Sequence, residues 1–497
     1  MCYELVIPSG MGKELRAHLL GDRTHEQMGI VLCGVRRSGK QIRLLGRHLV
    51  LMPRDAFSHQ SAGGLTLDPA VQRHVLQLAA REDLSQVDFH THPGDGTSVR
   101  FSGIDDQNER KLAAYLAKRI PGTHYGSVVL NGQATAARVW HIQKGQPIAM
   151  PMAMPELESS LPIPHAHEQT DTIIFNNGRF ARQVQAFGLE FQRRLSALTV
   201  GVVGLGGLGS IIVEQLARLG VQNWVLIDPD LIESTNLNRL LGATARDVAD
   251  ERAKVWVAAR TIRRSSVRPR IKALHCSVFA ERALKALKTC DLLVVTTDND
   301  ASRLVLNALA CQYVIPLVHV GVNLDPGEGG VFADVSGEFA IPPVGTWCLL
   351  CSGIIDAQRA SWDLARPEER ALLIKRGYLA GTPAPAVYHL NGAIASLAVA
   401  EIHNLVWMYK PMRRYMVYRE LEGELMPLEV PQQESCLHCS PEGLLGLGDL
   451  APLWTLGSRR SMSETHIPSA IPVPSEERND GGSAEEDVAK KNGKAHA

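Results

Sequence analysis

The sequence predicts an α/β protein with more than one domain, and three observations support this prediction. Residues 198–239 follow a β-α-β pattern with a glycine-rich turn, which is typical of a nucleotide-binding parallel sheet. Residues 1–145 contain a separate alternation of short β-rich runs and helical patterns. Two Cys-x-x-Cys pairs in the second half of the chain predict a metal site. A chain of 497 residues is long enough for two to four domains.

The charge balance limits the classes of partner. The chain has 52 basic and 52 acidic residues, so its formal net charge is zero, which argues against nucleic acid or an anionic membrane as a main partner. It has no apolar run long enough to cross a bilayer, and its first residues, MCYELVIPSG, do not resemble a signal peptide. We therefore expect a soluble, cytoplasmic protein. Its nine cysteines favour metal binding over disulfides in that compartment.

The central pattern begins with an apolar run from Thr199 to Val203, which predicts a strand. A turn containing four glycines follows, then a helical pattern from Ile211 to Leu219 that Gly220 ends, and a second strand from Trp224 to Ile227. Such glycines let backbone N–H groups approach a phosphate at a helix N-terminus, and an acid after the second strand can hold a ribose. The glycines are Gly204, Gly206, Gly207 and Gly209, and the acid is Asp228.

This pattern alone would also fit a nicotinamide or flavin site. The residues that follow favour a triphosphate instead, because two cations and an amide exceed what two phosphates need. The two cations are Arg239 and Lys254, and the amide is Asn236; the acid Asp230 precedes them. A later buried strand, Leu292 to Thr297, places Asp298 at its carboxyl end, where open α/β sheets bind ligands.

Over about residues 175–440, the chain resembles the ubiquitin-activating and ThiF-type adenylyltransferase superfamily. The motifs that carry the resemblance occur in this order: GxGGxGS, DxD, SxNLNR, Lys254 and Thr297-Asp298-Asn299. The resemblance implies a Rossmann-like domain in which a carrier protein's terminal carboxylate attacks the α-phosphate of Mg²⁺–ATP. It implies that the four glycines bind phosphates and that Asp228 and Asp230 hold ribose. It also implies that Asn236, Arg239 and Lys254 neutralise charge on the phosphates. Asp298 is the implied Mg²⁺ ligand.

The helix predicted between Phe180 and Leu198 contains an Arg-x-x-Arg-Gln segment that also resembles this superfamily. In homodimeric relatives an arginine here reaches the partner's ATP site. The resemblance therefore implies a homodimer, with Arg182 as the arginine that contacts the triphosphate.

Ubiquitin-activating relatives carry a thioester-forming cysteine in the crossover region, but residues 352–435 contain no cysteine. Either the adenylate passes directly to another carrier, or a hydroxyl accepts it. Thr382 is the candidate for an oxyester, although no partnering base is evident.

A His-x-His pattern follows the strand that includes Val87-Asp88-Phe89. His90 and His92 project to the same side at a strand end, and Asp105 can complete a three-ligand zinc site with an open position. Together with Glu26 and Ser102, the pattern resembles the JAB/MPN metalloprotease family, which cleaves isopeptide bonds after ubiquitin-like proteins. The resemblance implies catalytic Zn²⁺, Glu26 as general base and Ser102 as a donor to the oxyanion. The loop from Gly94 to Phe101 is longer than is usual in that family.

Cys348-Leu-Leu-Cys351 and Cys436-Leu-His-Cys439 can supply four thiolates to a structural Zn²⁺. A redox role is the alternative for either pair, and His438 is interpreted as a bystander. Cys311 is predicted to be a core residue.

Proline-rich residues 146–170 predict an extended linker, and residues 448–497 predict a disordered tail. The predicted domains are therefore a JAB/MPN-like domain at 1–145 and an adenylation domain at 171–447.

These features predict a bifunctional enzyme that adenylates the C-terminal glycine of a ubiquitin-like protein and also processes or removes that protein. A conjugating enzyme is a possible further partner. Activation and trimming of a sulfur-carrier protein remains open, as does a non-catalytic scaffold that binds ubiquitin-like proteins.

Overall fold

The computed structural model describes residues 1–94, 96–154, 157, 178–327, 329, 331–376, 385–431, 433 and 435–454. Thr382 and most of the predicted linker and tail lie outside the described residues. The described chain contains an N-terminal barrel domain and a C-terminal sheet domain.

The N-terminal domain is a closed barrel with strand order β1-β3-β2-β6-β7-β8-β9, beside a β4-β5 hairpin. Its strands are β1 Cys2–Val6, β2 Met28–Ser38, β3 Gln41–Leu51, β4 Phe57–Ser61, β5 Gly64–Leu67, β6 Ser85–Thr91, β7 Tyr125–Leu130, β8 Thr135–Gln143 and β9 Gln146–Ala153. Its helices are α1 Ser9–Gly21, α2 Pro69–Arg81 and α3 Gly103–Arg119, with a short 3-10 turn at Arg54–Ala56. This alternation of short strands and helices agrees with the pattern predicted for residues 1–145.

The two faces of β6 have different neighbours. Val87 and Phe89 pack in an apolar core with α1. His90 and Asp88 pair with Met28 and Ile30 of β2, and those two β2 residues pack in the core that α2 and α3 cover. Because side chains alternate along a strand, the histidine lies on the face beneath α2 and α3.

The predicted linker at 146–170 is wrong over its first residues. Gln146–Ala153 forms strand β9, which pairs with β8 and, in parallel, with β1. Pro147 and Pro151 are accommodated because this strand closes the barrel with few ladder hydrogen bonds to β1, where the register includes only Tyr3 and Glu4.

Within the described residues, the C-terminal domain has one sheet in the order β12-β11-β10-β13-β14-β15-β16-β17. The pairs from β12 to β14 are parallel, and those from β14 to β17 are antiparallel. The strands are β10 Thr199–Val203, β11 Asn223–Asp228, β12 Arg270–His275, β13 Leu292–Val295, β14 Leu317–Asp325, β15 Asp334–Ala340, β16 Tyr415–Arg419 and β17 Glu424–Pro427.

Helices cover both faces of this sheet, which gives the predicted Rossmann-like layering. They are α4 Ala181–Phe187, α5 Leu189–Ala197, α6 Gly207–Leu219, α7 Ala245–Ala249, α8 Lys254–Ser265, α9 Glu281–Leu287, α10 Asp300–Tyr313, α11 Ala357–Asp363, α12 Pro367–Lys375 and α13 Tyr388–Val406, with a 3-10 turn at Ser234–Asn236. The single helix predicted before β10 is two helices, because Gly188 separates them at φ +87°.

The segment 443–450 lies between the two domains. Arg47 of the barrel donates from Nη1 to the carbonyls of Gly443 and Leu445 at 3.1 and 2.8 Å. The backbone of Asp449 donates to Val35 O at 2.7 Å, and Gln312 Nε2 donates to Gly448 O at 2.8 Å. The tail predicted from residue 448 is therefore wrong over its first residues, because residues 448 and 449 make these contacts, and its remainder from residue 455 lies outside the described residues.

None of the helices in the described part of the chain combines the length and apolar character that a bilayer crossing requires.

Candidate active sites

The structure brings His90, His92 and Asp105 together. The Nε2 atoms of His90 and His92 lie 3.6 and 3.5 Å from Asp105 oxygens. Thr91 anchors the strand end between them, since its Oγ1 accepts the Gln27 N–H at 2.8 Å. The backbone of His92 also donates to Leu130 O, which fixes the chain against β7.

This geometry fits zinc. Ligand atoms bound to Zn²⁺ at 2.0–2.1 Å in a tetrahedron are separated by about 3.3–3.4 Å. The Nε2 atoms of His90 and His92 lie 3.6 and 3.5 Å from Asp105 oxygens, close to that spacing, and all three ligand atoms lie within 4.8 Å of one another. His90 Nε2 is buried without a hydrogen-bond partner among the described residues, as a metal-ligating nitrogen would be.

Asp105 and Ser102 form the start of α3. Ser102 Oγ accepts the Asp105 N–H at 3.2 Å, and Asp105 Oδ2 accepts the Ser102 N–H at 2.6 Å, which makes a reciprocal capping box. Burial raises the pKa of Asp105, but the adjacent imidazoles of His90 and His92 and the Ser102 N–H outweigh it and hold the pKa well below its usual value. The predicted ligand and oxyanion donor are therefore positioned by the same helix cap.

Glu26 lies beside this set, with Oε1 at 3.9 Å from His92 Nε2. The β4-β5 hairpin holds it, because its N–H donates to Ser61 O and its carbonyl accepts Gln60 Nε2, both at 2.8 Å. Burial raises the pKa of Glu26, although the nearby His92 opposes the shift. A carboxylate with a raised pKa is suited to accept a proton near neutral pH.

The glycine turn of the C-terminal domain has the predicted β-α geometry. Gly204 adopts φ +89°, and a Cβ there would lie 2.7 Å from Thr296 O. A Cβ on Gly209 would lie 2.0 Å from Gly204 O, so both glycines are needed to close the turn. A Cβ on Gly206 would meet no atom within 4 Å, which leaves that residue's face open to a ligand.

Asp228 has a structural role that the sequence did not predict. Its Oδ2 accepts the Leu205 N–H at 2.6 Å, and its Oδ1 accepts the Asp230 N–H at 2.8 Å. Burial raises its pKa, against the opposing effect of Lys254. Asp228 therefore braces the glycine turn, whereas ribose binding by Asp228 and Asp230 remains a prediction.

Lys254 and Asp230 form an ion pair near this turn. Lys254 Nζ lies 2.7 Å from Asp230 Oδ2, and the Lys254 N–H also donates to Asp230 O. Asn236 is buried and its Oδ1 accepts the Glu233 N–H at 3.1 Å, so it also stabilises its own turn. Arg239 Cγ lies 3.4 Å from the position that a Cβ on Gly207 would occupy.

Asp298 is exposed after β13, and Asn299 Nδ2 donates to its Oδ1 at 3.3 Å. Thr296, two residues earlier, donates from Oγ1 to Gly204 O at 2.6 Å, which ties this strand end to the glycine turn. Arg182 is exposed on α4. Its contact with the triphosphate of a second copy remains a prediction.

Two residues near the turn were missed. Asn391 of α13 is buried, and its Nδ2 would lie 2.3 Å from a Cβ on Gly207. Asp300 pairs with Arg303 and Arg359 at 2.7 and 2.9 Å and supports the segment after Asp298. Asp300 follows Asp298 by two residues in Asp298-Asn299-Asp300, so the sequence contained a local signal for it. No local pattern pointed to Asn391.

The two Cys-x-x-Cys pairs meet in space. Sγ–Sγ distances are 3.7 Å for Cys348–Cys351, 3.8 Å for Cys348–Cys436 and 3.6 Å for Cys351–Cys439. Four sulfurs at 2.3 Å from a tetrahedral Zn²⁺ are separated by about 3.8 Å, so the cluster fits zinc. His438 is not among the clustered ligand residues, in agreement with its interpretation as a bystander, and its Nδ1 lies 2.8 Å from Nδ2 of Asn307, whose Oδ1 accepts the Leu349 N–H. Cys311 is buried as predicted and packs against the cluster.

The geometry defines the class of the molecule: an α/β protein with a glycine turn of the nucleotide-binding type, joined to a barrel that bears a His-His-Asp ligand set. The ThiF family model matches residues 180–440, and the chain belongs to that family. Residues 8–143 match the model of prokaryotic homologs of the JAB domain.

Among curated relatives, a sulfur carrier protein adenylyltransferase of Thermus thermophilus is 32% identical over 156 residues, covering 31% of this chain and 57% of its own. The sulfur carrier protein ThiS adenylyltransferase of Bacillus subtilis is 29% identical over 182 residues, covering 36% and 51% respectively. The SAMP-activating enzyme E1 of Haloferax volcanii is 32% identical over 152 residues, covering 30% and 56%.

The chain spans about half the length of these curated relatives. Among solved structures, E. coli MccB with ATP is similar at a TM-score of 0.42 and 20% identity, over 53% of this chain and 75% of that chain.

Proposed function

We propose that the C-terminal domain uses Mg²⁺–ATP to adenylate the C-terminal glycine of a ubiquitin-like or sulfur-carrier protein. The observation that carries this proposal is the Lys254–Asp230 pair beside a glycine turn whose Gly206 face is open. The membership of the ThiF family and the adenylyltransferase names of its relatives support it.

In this proposal, the carrier's carboxylate oxygen forms a bond to the α-phosphorus as the bond to pyrophosphate breaks. Lys254 and Arg239 would neutralise charge that develops on the phosphates, and the N-terminus of α6 would bind them through backbone N–H groups. Asp298 would hold Mg²⁺, since it is an exposed carboxylate at the carboxyl end of a parallel strand.

We propose that the N-terminal domain is a peptidase or isopeptidase that cleaves after the same kind of carrier. His90, His92 and Asp105 would hold Zn²⁺, which would supply Lewis-acid activation of water and of the scissile carbonyl. Glu26 would accept the proton of the attacking water and pass it to the leaving amine. Ser102 Oγ accepts a hydrogen bond from the cap, so its own O–H can donate to the oxyanion.

Both proposals concern one chemical object, the flexible tail of a small protein that ends in glycine. Sulfur delivery is the second candidate function, and the names of the relatives favour it. The absence of cysteine from residues 352–435 is compatible with direct transfer from the adenylate in either pathway. An oxyester on Thr382 remains a prediction, as does a conjugating enzyme. A scaffold would not need the assembled Glu26 and ligand set.

Exchange of radiolabelled pyrophosphate into ATP tests the adenylation proposal. We expect exchange only when a cognate glycine-ended carrier is added, and a loss of at least about 10²-fold in Lys254→Ala. Lys285→Ala is the matched control, because Lys285 forms an exposed helix pair with Glu281. Carrier-independent exchange would refute the carrier as the adenylated substrate, and equal rates in both variants would refute the proposed role of Lys254. A thiocarboxylate on the carrier, rather than adducts on other proteins, would select sulfur delivery.

The proposed homodimer can be tested by complementation. Arg182→Ala and Lys254→Ala chains are each expected to be inactive alone. If Arg182 acts on the partner's site, a mixed dimer contains one intact site, and an equal mixture should recover about a quarter of wild-type exchange. Absence of recovery despite demonstrated subunit mixing would exclude action in trans.

A further inference from the structure

The cavity at the His-His-Asp set is larger than the set itself. It has a volume of about 640 Å³, and its lining includes Glu26, His90 and Asp105. The same cavity is also lined by Asp88 and Gln86, which precede His90 on one face of β6. Each step of two residues along a strand covers about 6.6 Å, so the cavity extends about two such steps from the ligand set. We name the part lined by Gln86, Asp88 and Tyr125 the acceptor recess.

Asp88 is a buried carboxylate without a cationic partner in the described part of the protein. It accepts hydrogen bonds from two neutral groups, Gln86 Nε2 at 2.7 Å and Tyr125 Oη at 2.9 Å. The neighbouring acid Glu109 differs, because Arg138 Nε donates to it at 2.8 Å and neutralises it. Ser127 Oγ and Trp140 Nε1 complete the partners of Glu109, at 2.5 and 2.7 Å.

Gln86 provides a second, independent signal. Its side chain is only 4% exposed, and its Oε1 has no hydrogen-bond partner among the described residues, although its Nε2 is used by Asp88. A buried unpaired carbonyl is unfavourable by itself. Gln86 Oε1 and the Asp88 carboxylate thus give the recess two acceptors that lack a charged donor.

The lining of the whole cavity is mixed: it includes two exposed cations, Arg73 and Lys111, which form no ion pair with Asp88 among the described residues, and several apolar side chains. The apolar side chains include Ile30 from β2, Val75 from α2 and Leu112 from α3. A lysine or arginine side chain has the matching form, with an aliphatic stem and a cationic donor head. A shorter or purely apolar side chain would leave Gln86 Oε1 without a donor and Asp88 without a cation.

We infer that the acceptor recess binds the cationic side chain of a substrate lysine or arginine that flanks the scissile bond. Asp88 and Gln86 Oε1 receive its donor head, and the recess thereby selects the sequence that the N-terminal domain cleaves. The identity of the ligand as a peptide rests on the proposed peptidase function, but binding by the recess does not require turnover.

Binding is measured first, with the full chain loaded with zinc and carrying Glu26→Gln to prevent cleavage. The probes are fluorescent peptides that end the carrier tail in glycine and continue past the scissile bond, with lysine or its uncharged isostere norleucine at each flanking position. We expect the lysine peptide to bind about tenfold or more tightly at one flanking position, as a buried charged hydrogen bond would produce. Equal binding of the two peptides at every flanking position would overturn the inference.

Two variants locate the effect. Asp88→Asn preserves shape but removes the charge, so the preference for lysine should fall to within about twofold. Tyr125→Phe removes a hydrogen bond to the same carboxylate but keeps its charge, so the preference should remain. Zinc content and thermal unfolding establish that both variants fold. Should Asp88→Asn fail to fold, the comparison of lysine and norleucine peptides on the chain with Asp88 intact still decides the inference.

Hydrolysis by the chain with Glu26 intact separates this inference from the proposed function. Discrimination in binding with no cleavage of any peptide would contradict the peptidase proposal and support the recess. Cleavage of both peptides with equal kcat/KM, together with equal binding, would support the peptidase proposal and overturn the recess.

Discussion

Arg43 of the barrel and Asp291 of the C-terminal domain form an ion pair between domains. Arg43 Nη2 lies 2.9 Å from Asp291 Oδ1, and Arg43 Nε lies 2.7 Å from Glu4 Oε2. The other oxygen of Asp291 accepts the Thr199 N–H at 3.0 Å. The first strand of the nucleotide-binding sheet is thus connected through one carboxylate to the barrel that holds the His-His-Asp set.

Arg43→Met should destabilise the whole chain strongly. The change leaves Glu4 and Asp291 buried without their cation, and breaking a buried pair in this way typically costs about 3–5 kcal/mol. Thermal unfolding monitored by calorimetry should show a clear decrease in Tm. The matched control is Arg246→Ala, because Arg246 is exposed and its pair with Asp250 at 3.6 Å should contribute about 0–1 kcal/mol. Equal shifts in both variants would contradict the importance of the interdomain pair.

Zinc content should separate the two predicted metal centres. The wild-type chain should bind two zinc ions, and both His90→Ala and Cys439→Ser should bind one. Loss of the cysteine site should also lower Tm markedly, since structural zinc contributes directly to folding, whereas the histidine variant should retain most of its stability. Elemental analysis and thermal unfolding of the same samples provide both readouts. Wild-type protein with a single zinc would exclude one of the two centres.

Glu26→Gln should abolish peptide cleavage while it preserves the metal. The amide cannot accept the proton of the attacking water, so we expect a decrease of about 10²–10⁴-fold in kcat. Glu14→Gln, on the exposed side of α1, is a control of the same chemistry away from the site. Unchanged cleavage by a zinc-loaded Glu26→Gln protein would remove Glu26 from the mechanism.

Substitutions in the glycine turn should separate folding from nucleotide binding. Gly209→Ala places a Cβ 2.0 Å from Gly204 O, so it should lower Tm. Gly206→Ala meets no protein atom and has a φ of −76°, so it should fold normally but obstruct a phosphate and weaken ATP binding. Calorimetric titration with ATP and a melting curve test both. Normal ATP affinity in Gly206→Ala would place the phosphates elsewhere.

Glu82 should make stability depend on acid pH. Burial raises its pKa, but hydrogen bonds from His48 and Arg47 prevail and lower it from 4.5 to about 2. A depressed folded-state pKa means that Glu82 stabilises the protein above pH 4.5 and that this contribution is lost as the pH falls toward 2. The Tm difference between wild type and Glu82→Gln should therefore be full at neutral pH and shrink through that window. A difference that is independent of pH would contradict the assignment.

Local patterns in the sequence predicted much of the fold, and long-range contacts explain what they missed. Thr199–Val203 was predicted with its observed bounds, because a short apolar run before a glycine turn is a local signal. Gln146–Ala153 was missed as a strand because its prolines indicated a linker, while barrel closure against β1 is a property of the whole domain. Gly188 was a local signal for a helix break that was not used.

The same distinction applies to the sites. His90, His92 and Asp105 were predicted from spacing, and the structure brings them together. Asp88 lies on the same face of β6 as His90, so strand alternation could have identified it as part of the cavity. Asn391 could not be identified, because it approaches the glycine turn from a helix nearly 200 residues later.

The segment from residue 443 to 450 belongs to the C-terminal half of the sequence but contacts the N-terminal barrel. This segment follows the second cysteine pair, yet Arg47 and Val35 of the barrel bind its backbone. Cutting the chain after β9, between residues 157 and 178, would therefore not release two self-sufficient proteins. The excised barrel would lose a covering peptide, and a C-terminal fragment would carry that peptide with its partner surface removed.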